Sequence, residues 1–347
     1  MKRSAVKLEL FADERQREKL DQVGDPLLEI AELLDFKALA ARIDKIAPRG
    51  DGAKGGRPPY PTDVMIRILV IKKLYNLSND QMEFQLLDRM SFKRFCGLTH
   101  SRTIPDATTI WVFENRIGED GAREIFNGVE SQLFVKGFIP RGGQIIDATL
   151  VQAPIQRNTR KENEQIKKGE TPEDWSDAKR SQKDTDATWT KKHGKSHFGY
   201  KMSIGMDDRY KLIRKVVTST ASEHDSLHFE GVLDPFNTSR DVYADRGYPS
   251  KARSKSLKEQ GYRDQIQRRG TRGKPLSDAQ KKRNRRIAKT RARVEHPFAA
   301  ISQMGGKLVR TVGQARANFS MLMMAACYNI KRGVYLVATN GGRGAPT

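Results

Sequence analysis

The hydrophobic period of this chain changes at Gly142, and that change points to an α/β unit behind a helical region. Before it, apolar residues recur at helical spacing. Pro61-Thr62-Asp63 predicts a helix start, with Met65, Ile66, Leu69, Val70 and Leu74 on one face. Ser78-Asn79-Asp80 starts a second helix with Phe84 and Leu87. Pro105-Asp106 opens another with Ile110, Phe113 and Ile117. After Gly142, Gln144 to Val151 is a β-rich run. His197 to Asp207 alternates, Asp208-Arg209-Tyr210 turns, and Lys211 to Thr220 returns. Asp241 to Asp245 and Asp264 to Arg268 are two short strands. Helices are predicted over Leu227 to Phe236, Lys251 to Gln260, Ser277 to Met304 and Ala317 to Val337. The order β-β-β-α-β-α-β-α predicts a mixed five-stranded sheet with flanking helices.

Three regions follow. Residues 1–56 form a basic arm; Leu27 to Phe36 is a helix for self-association or for packing on the next domain. Residues 57–138 form an all-helical domain, compatible with a helix-turn-helix-like DNA reader and equally with a plain bundle making dimer contacts. Residues 139–340 hold the sheet. Within it, residues 157–196 are polar and almost free of aliphatics, which predicts an insertion or mobile loop rather than core.

A net charge of +22 is costly unless a polyanion neutralises it, so DNA or RNA is the default partner and an anionic membrane the weaker one. No apolar run approaches the length of a spanning helix. Cys96 and Cys327 are too few and too far apart for a disulfide framework or a zinc module, and read as reduced core residues of a cytoplasmic protein.

The basic charge concentrates before and within the helix predicted from Ser277 to Met304. From Arg268 to Arg293 there are twelve Lys or Arg and one Asp. One acid, Glu295, sits beside the apolar stripe of Ile287, Val294, Phe298 and Ile301. It is either a partner for Arg291 at i,i−4 or a metal-ligating carboxylate on a nucleic-acid-binding helix. Two more acids lie at strand positions, Asp147 after two isoleucines and Asp245 after Val242-Tyr243-Ala244. Three carboxylates from two strands and one helix could converge at one sheet edge. A hard divalent cation such as Mg²⁺ takes such oxygen ligands, and two ions together serve phosphoryl transfer. His224 and His228, at i,i+4, form a rival metal reading that no nearby Cys or His completes; Asp225 between them is a candidate N-cap. Trp189, followed by Lys191, Lys192, His193 and Lys195, suits a flipped base or a DNA strand on an aromatic face; anchoring of a loop is the competing reading.

These stretches resemble bacterial insertion-sequence transposases of the DDE type, specifically the insertion-sequence-five family. The likeness rests on Ile146 to Val151, Trp189 to Lys195 running into Phe198-Gly199-Tyr200-Lys201, Tyr243 to Tyr248, Asn284-Arg285-Arg286, Arg291 to Phe298, and Tyr328-Asn329. Ala288 and Ser302 depart from the related Tyr-x-x-Arg-x-x-x-Glu signature and its following Lys. The resemblance implies a ribonuclease-H-like catalytic domain behind a helical DNA-binding domain. It implies cleavage of the ends of an insertion sequence and joining of the 3′-OH to target DNA, with two Mg²⁺ ions, or Mn²⁺ as substitute, on Asp147, Asp245 and Glu295. Trp189, Lys191, Lys192, His193, Lys195, Lys201, Arg246, Arg285, Arg286 and Arg291 are the expected DNA contacts. The expected partners are the terminal inverted repeats, target DNA and at least one further copy of the chain. The expected location is the bacterial cytoplasm, at the nucleoid. A non-catalytic basic DNA-binding protein and a metal-dependent nuclease without strand transfer are the alternatives.

Overall fold

In the computed structural model the described residues are 10–49, 58–156, 158–192 and 194–340. The first part is helical: α1 (Ala12–Val23), α2 (Pro26–Leu33), α3 (Phe36–Ile46), α4 (Thr62–Leu74), α5 (Asn79–Asp88), α6 (Met90–Phe95) and α7 (Ala107–Val135). Asp25, Asp35 and Ser78 cap α2, α3 and α5 through their side chains, as short polar residues do before an apolar run. The connection from Cys96 to Asp106 is longer than the three- or four-residue turn of a compact helix-turn-helix. α7 is bent at Gly118, whose φ of 55° and ψ of −160° are not helical.

The sheet follows with β1 (Gln144–Gln152), β2 (Thr188–Lys192), β3 (Lys195–Asp207), β4 (Ile213–Thr220), β5 (Asp241–Ala244) and β6 (Arg263–Ile266). Helices α8 (Arg160–Lys167) and α9 (Asp177–Gln182) precede β2. α10 (Lys251–Glu259), α11 (Asp278–Arg291), α12 (Glu295–Gln303) and α13 (Gln314–Asn340) complete the chain. β1 lies antiparallel to β3 and parallel to β5, β3 antiparallel to β4, and β5 parallel to β6. The order β4-β3-β1-β5-β6 is that of the expected ribonuclease-H-like mixed sheet. A sixth strand, β2, adds to the start of β3. Gly199 permits this crowding: its φ is +148°, and a Cβ there would stand 2.3 Å from the Val151 carbonyl oxygen.

The two faces of the sheet bury different cores. Alternation along β1 sends Ile145 and Val151 into a large core, with Tyr200, Met202, Ile204 and Met206 of β3. Ile146 goes into a smaller one, with Val242, Ala244, Ile266, Phe229, Val232 and Leu257. The large core runs without a break into the helical part. Leu27, Ile30, Leu33, Phe36, Leu39 and Ile43 of α2 and α3 are buried in it beside α4, α7 and α13. Residues 25–46 are therefore packed on the rest of the chain rather than extended as an arm.

Three expectations change. Residues 157–196 are not a loop: where described they contain α8, α9 and β2, and Trp175 is only 3% exposed, its indole N–H donating to Glu162 at 2.7 Å. A few polar anchors suffice there. Asp184 takes the Tyr200 hydroxyl at 2.8 Å and the Ala187 N–H at 2.9 Å. Next, the helix expected from Ser277 to Met304 is broken by a 3-10 turn at Ala292–Val294. Pro297 has no N–H, and its ring would clash with the Arg293 carbonyl in a continuous helix. Last, the helix expected over Leu227 to Phe236 is two 3-10 turns, Asp225–His228 and Glu230–Val232.

α13 is tied to the β3–β4 turn by the sequence Tyr328-Asn329-x-x-Arg332. The Tyr328 hydroxyl donates to the Lys211 carbonyl at 2.6 Å, and Arg332 Nε to the Tyr210 carbonyl at 2.8 Å. Asn329, fully buried, accepts the Ile213 N–H at 2.9 Å and donates to its carbonyl at 2.7 Å. Asn329→Ala strands two buried backbone groups, so a stability loss of about 2–4 kcal/mol is expected in chemical denaturation. A loss below about 0.5 kcal/mol would show that the clip is dispensable.

Candidate active site and nucleic-acid interface

The site is assembled by register. Gln144 pairs with Val242 and Ile145 with Tyr243 across the parallel β1–β5 ladder. Two further steps bring Asp147 level with Asp245, one residue beyond the end of β5. Alternation puts Asp147 on the face of Ile145, directly across from Ile204 of β3, and Asp245 in step with Tyr243. α11 packs on β5, and the 3-10 turn after it packs on β1 over the same face, with Val294 in the large core. Glu295 begins α12 there, exposed and in its first turn.

Asp147 is held on both oxygens. Oδ1 accepts the Ala148 N–H at 2.9 Å, and Oδ2 accepts Arg291 Nη1 at 2.6 Å. Burial pushes its pKa up from 3.8 to about 6; Arg291 pulls it down, while the Asp245 and Glu295 carboxylates push it further up. Like charges gathered on one face thus raise the cost of ionising the buried member. Asp245 Oδ1 accepts the Gly247 N–H at 2.7 Å. Glu295 is not Arg291's partner, as the i,i−4 reading had it. The break in the helix leaves that arginine to Asp147.

Among the described residues, no group of three or more His, Cys, Asp or Glu side chains is close enough to hold a metal ion. The donor set of Asp147, Asp245 and Glu295 nevertheless fits a hard divalent cation, because all its atoms are carboxylate oxygens. In this structure Arg291 occupies the cationic position on Asp147. The rival histidine pair does not form a site: His224 accepts the Ser226 N–H, and His228 pairs with Glu223 at 3.1 Å. Asp225 is not the expected N-cap, a role His224 takes; it binds Lys201 Nζ at 2.8 Å.

The expected DNA contacts separate into two groups. Arg246, Arg285, Arg286, Lys191, Lys192 and Lys195 are exposed, and Trp189 is 48% exposed while packing on Phe198 at a ring distance of 5.2 Å. Lys191 and Lys192 line a groove of about 210 Å³ with Ala148, Thr149 and Thr190, one residue from Asp147. Lys201 and Arg291 are instead engaged in ion pairs with carboxylates. His193 lies outside the described residues.

One residue gains a role that spacing could not signal. Asn284, buried, donates to the Arg268 carbonyl and accepts its N–H, both at 2.9 Å, which fixes α11 against the segment after β6. Tyr248, three residues after Asp245, is buried, and its hydroxyl has no hydrogen-bond partner among the described residues. Burial, then Asp147, Asp225 and Asp245, raises its pKa. A tyrosine following Asp-Arg-Gly was the available signal.

The family model described as Transposase DDE domain matches residues 140–330, more than half of the chain, and that described as Transposase domain (DUF772) matches residues 14–116. The chain belongs to the DDE-domain transposases, enzymes that cut DNA and transfer the cut strand, and depend on a divalent metal to do so. A solved structure, the cryo-EM structure of the piggyBac transposase synaptic complex with hairpin DNA, is similar at 14% identity over 93% of this chain and 77% of that one, with a TM-score of 0.43. Among the described residues no helix is long and apolar enough to cross a membrane.

The raised pKa of Asp147 has a measurable consequence. The folded state is penalised once this carboxyl ionises, so the penalty is absent below its ordinary value of 3.8 and complete above about 6. Asp147→Asn mimics the neutral form. Its unfolding midpoint should exceed that of the natural protein at pH 8, by up to about 3 kcal/mol in stability, and converge with it near pH 4. Equal stability of the two proteins at both pH values would contradict the assignment.

Proposed function

We propose that this transposase binds the terminal inverted repeats of an insertion sequence, cleaves the element ends and joins each 3′-OH to target DNA. The observation that carries the reading is the register that sets Asp245 beside Asp147, on the face over which Glu295 begins α12. These three carboxylates would hold two divalent cations, with Mg²⁺ favoured by an all-oxygen donor set and Mn²⁺ able to replace it. Bound there, such ions activate the attacking oxygen and stabilise the leaving oxygen of a phosphodiester.

The protein's own groups supply position and charge. Arg291, whose Nε is buried with no hydrogen-bond partner among the described residues, would exchange Asp147 for a phosphate. Arg246, Arg285 and Arg286, exposed and with no ion-pair partner among the described residues, suit backbone phosphates. The β2–β3 hairpin offers Trp189 as a stacking surface beside Lys191, Lys192 and Lys195, so a base displaced at the cut could rest there. The division at residues 56 and 138 then separates functions rather than cores: the helical part carries DNA, and residues 139–340 carry the chemistry. Two element ends must be held together, so the working complex is at least a dimer, acting in the cytoplasm at the nucleoid. The family would narrow to the insertion-sequence-five type on the motifs around Asp245 and Glu295.

Strand cleavage and joining on duplexes carrying the element's own ends, with Mg²⁺, tests this. Asp245→Ala should lower both steps by roughly 10²–10³-fold or more while leaving DNA binding intact. Full activity in that variant would end the assignment. Arg285→Gln should weaken binding to all duplexes alike and flatten the salt dependence of log K by about one unit. An unchanged slope would remove that residue from the phosphate-binding surface.

A further inference from the structure

The first half of α7 carries a surface that the carboxylate site does not use. Thr108, Trp111, Val112 and Asn115 are all exposed at i, i+3, i+4 and i+7, so they form one solvent-facing stripe. Ile110, Phe113 and Ile117 are buried on the opposite side. Trp111 and Val112 are 50% and 52% exposed, unusual for such residues on a helix otherwise well packed. The bend at Gly118 ends this stretch and sets it apart from the half of the helix beyond.

Grooves of about 260 Å³ and 290 Å³ flank it. Lys72, Lys73 and Arg316 line the first, with Arg49 and Arg116 lining the second. Much of that charge is balanced locally: Lys72 pairs with Glu114 at 2.7 Å, Arg123 with Glu119 at 2.8 Å, and Arg49 and Arg116 share Asp44 at 3.7 and 3.9 Å. The segment after α12 joins this surface to the sheet. The Lys307 carbonyl accepts the Gln152 N–H at the end of β1, and the Gln314 N–H donates to Asp186 at the foot of β2. Thr311 and Arg316 then line the groove beside Trp111. Lys307, Arg310 and Arg316 are exposed along that route.

We propose that residues 107–117 enter the major groove of DNA and read base pairs, which deepens the transposase reading and rests on it. Asn115 and Thr108 supply hydrogen bonds to base edges, and Trp111 and Val112 supply apolar contact with thymine methyl groups. Arg310 and Arg316 hold adjoining phosphates. Charge decides the occupant: Lys307, Arg310 and Arg316 stand exposed along one edge, and a second copy would bring another +22 against them, whereas a duplex neutralises them.

Selection from a pool of duplexes with a randomised core, using the full chain, tests the proposal. The natural protein should enrich a defined motif. Asn115→Ala should bind that motif roughly 5- to 100-fold more weakly and lose preference at one or two neighbouring base pairs. Its affinity for unselected duplex and its salt slope should not change. Arg316→Gln should weaken both pools equally. Both side chains are exposed, so circular dichroism and unfolding midpoints should match the natural protein. Selection of the same motif at the same affinity by Asn115→Ala and Trp111→Ala would overturn the proposal while leaving the transposase reading intact. So would a change of oligomeric state in Trp111→Ala with its motif unaltered. Failure of the natural protein to bind any duplex would defeat the transposase reading itself.

Discussion

A buried ion network at the turn between β3 and β4 holds the sheet to the helical part. Asp207 and Arg214 are both withdrawn from water and meet at 2.9 Å; Arg214 also reaches Glu130 of α7 at 2.6 Å and the Phe138 carbonyl at 2.6 Å. The Asp207 carboxylate additionally accepts the Tyr210 and Leu212 N–H groups. Every member is paired, which is the condition under which buried charge is tolerated; removal of one partner from such a pair costs about 3–5 kcal/mol. Because Phe138 lies just before β1, the network also fixes how the chain enters the strand that bears Asp147. α13 grips the same turn from the other side through Tyr328, Asn329 and Arg332.

That anchoring explains why the helical and sheet regions share one core. α7 and α13 pack along each other, and α2 and α3 close over them. The match of the second family model to residues 14–116 includes both α2 and α3 and the helices beyond. The helical part and the sheet thus share one continuous core.

The electrostatics of the site turn on one competition. Burial and two nearby carboxylates oppose ionisation of Asp147, and Arg291 favours it. The same carboxylate therefore has its counter-cation within the protein, in Arg291.

Much of the architecture was legible because its signals are local. A β-rich run marked β1, and alternation marked β3 with its return in β4; the acids at Asp147 and Asp245 followed from strand placement. Where long-range contacts decide, the sequence was silent. Residues 157–196 lack aliphatics, yet Glu162 and Asp184 order them through hydrogen bonds to Trp175 and Tyr200. Pro297 did carry a local signal, the break that detaches Glu295 from Arg291, and the helical stripe on either side concealed it. Lys201 looked like a DNA contact until tertiary structure gave it Asp225.

The sequence by itself determined the order of elements, the excess of positive charge and the three carboxylates, since period, composition and residue type are written along the chain. Only the tertiary structure decided which carboxylate is buried, which cation answers it and which aromatic residue faces solvent. Those depend on the register of β1 with β5 and on the packing of α11 and α13 across the sheet, contacts between residues far apart in the chain.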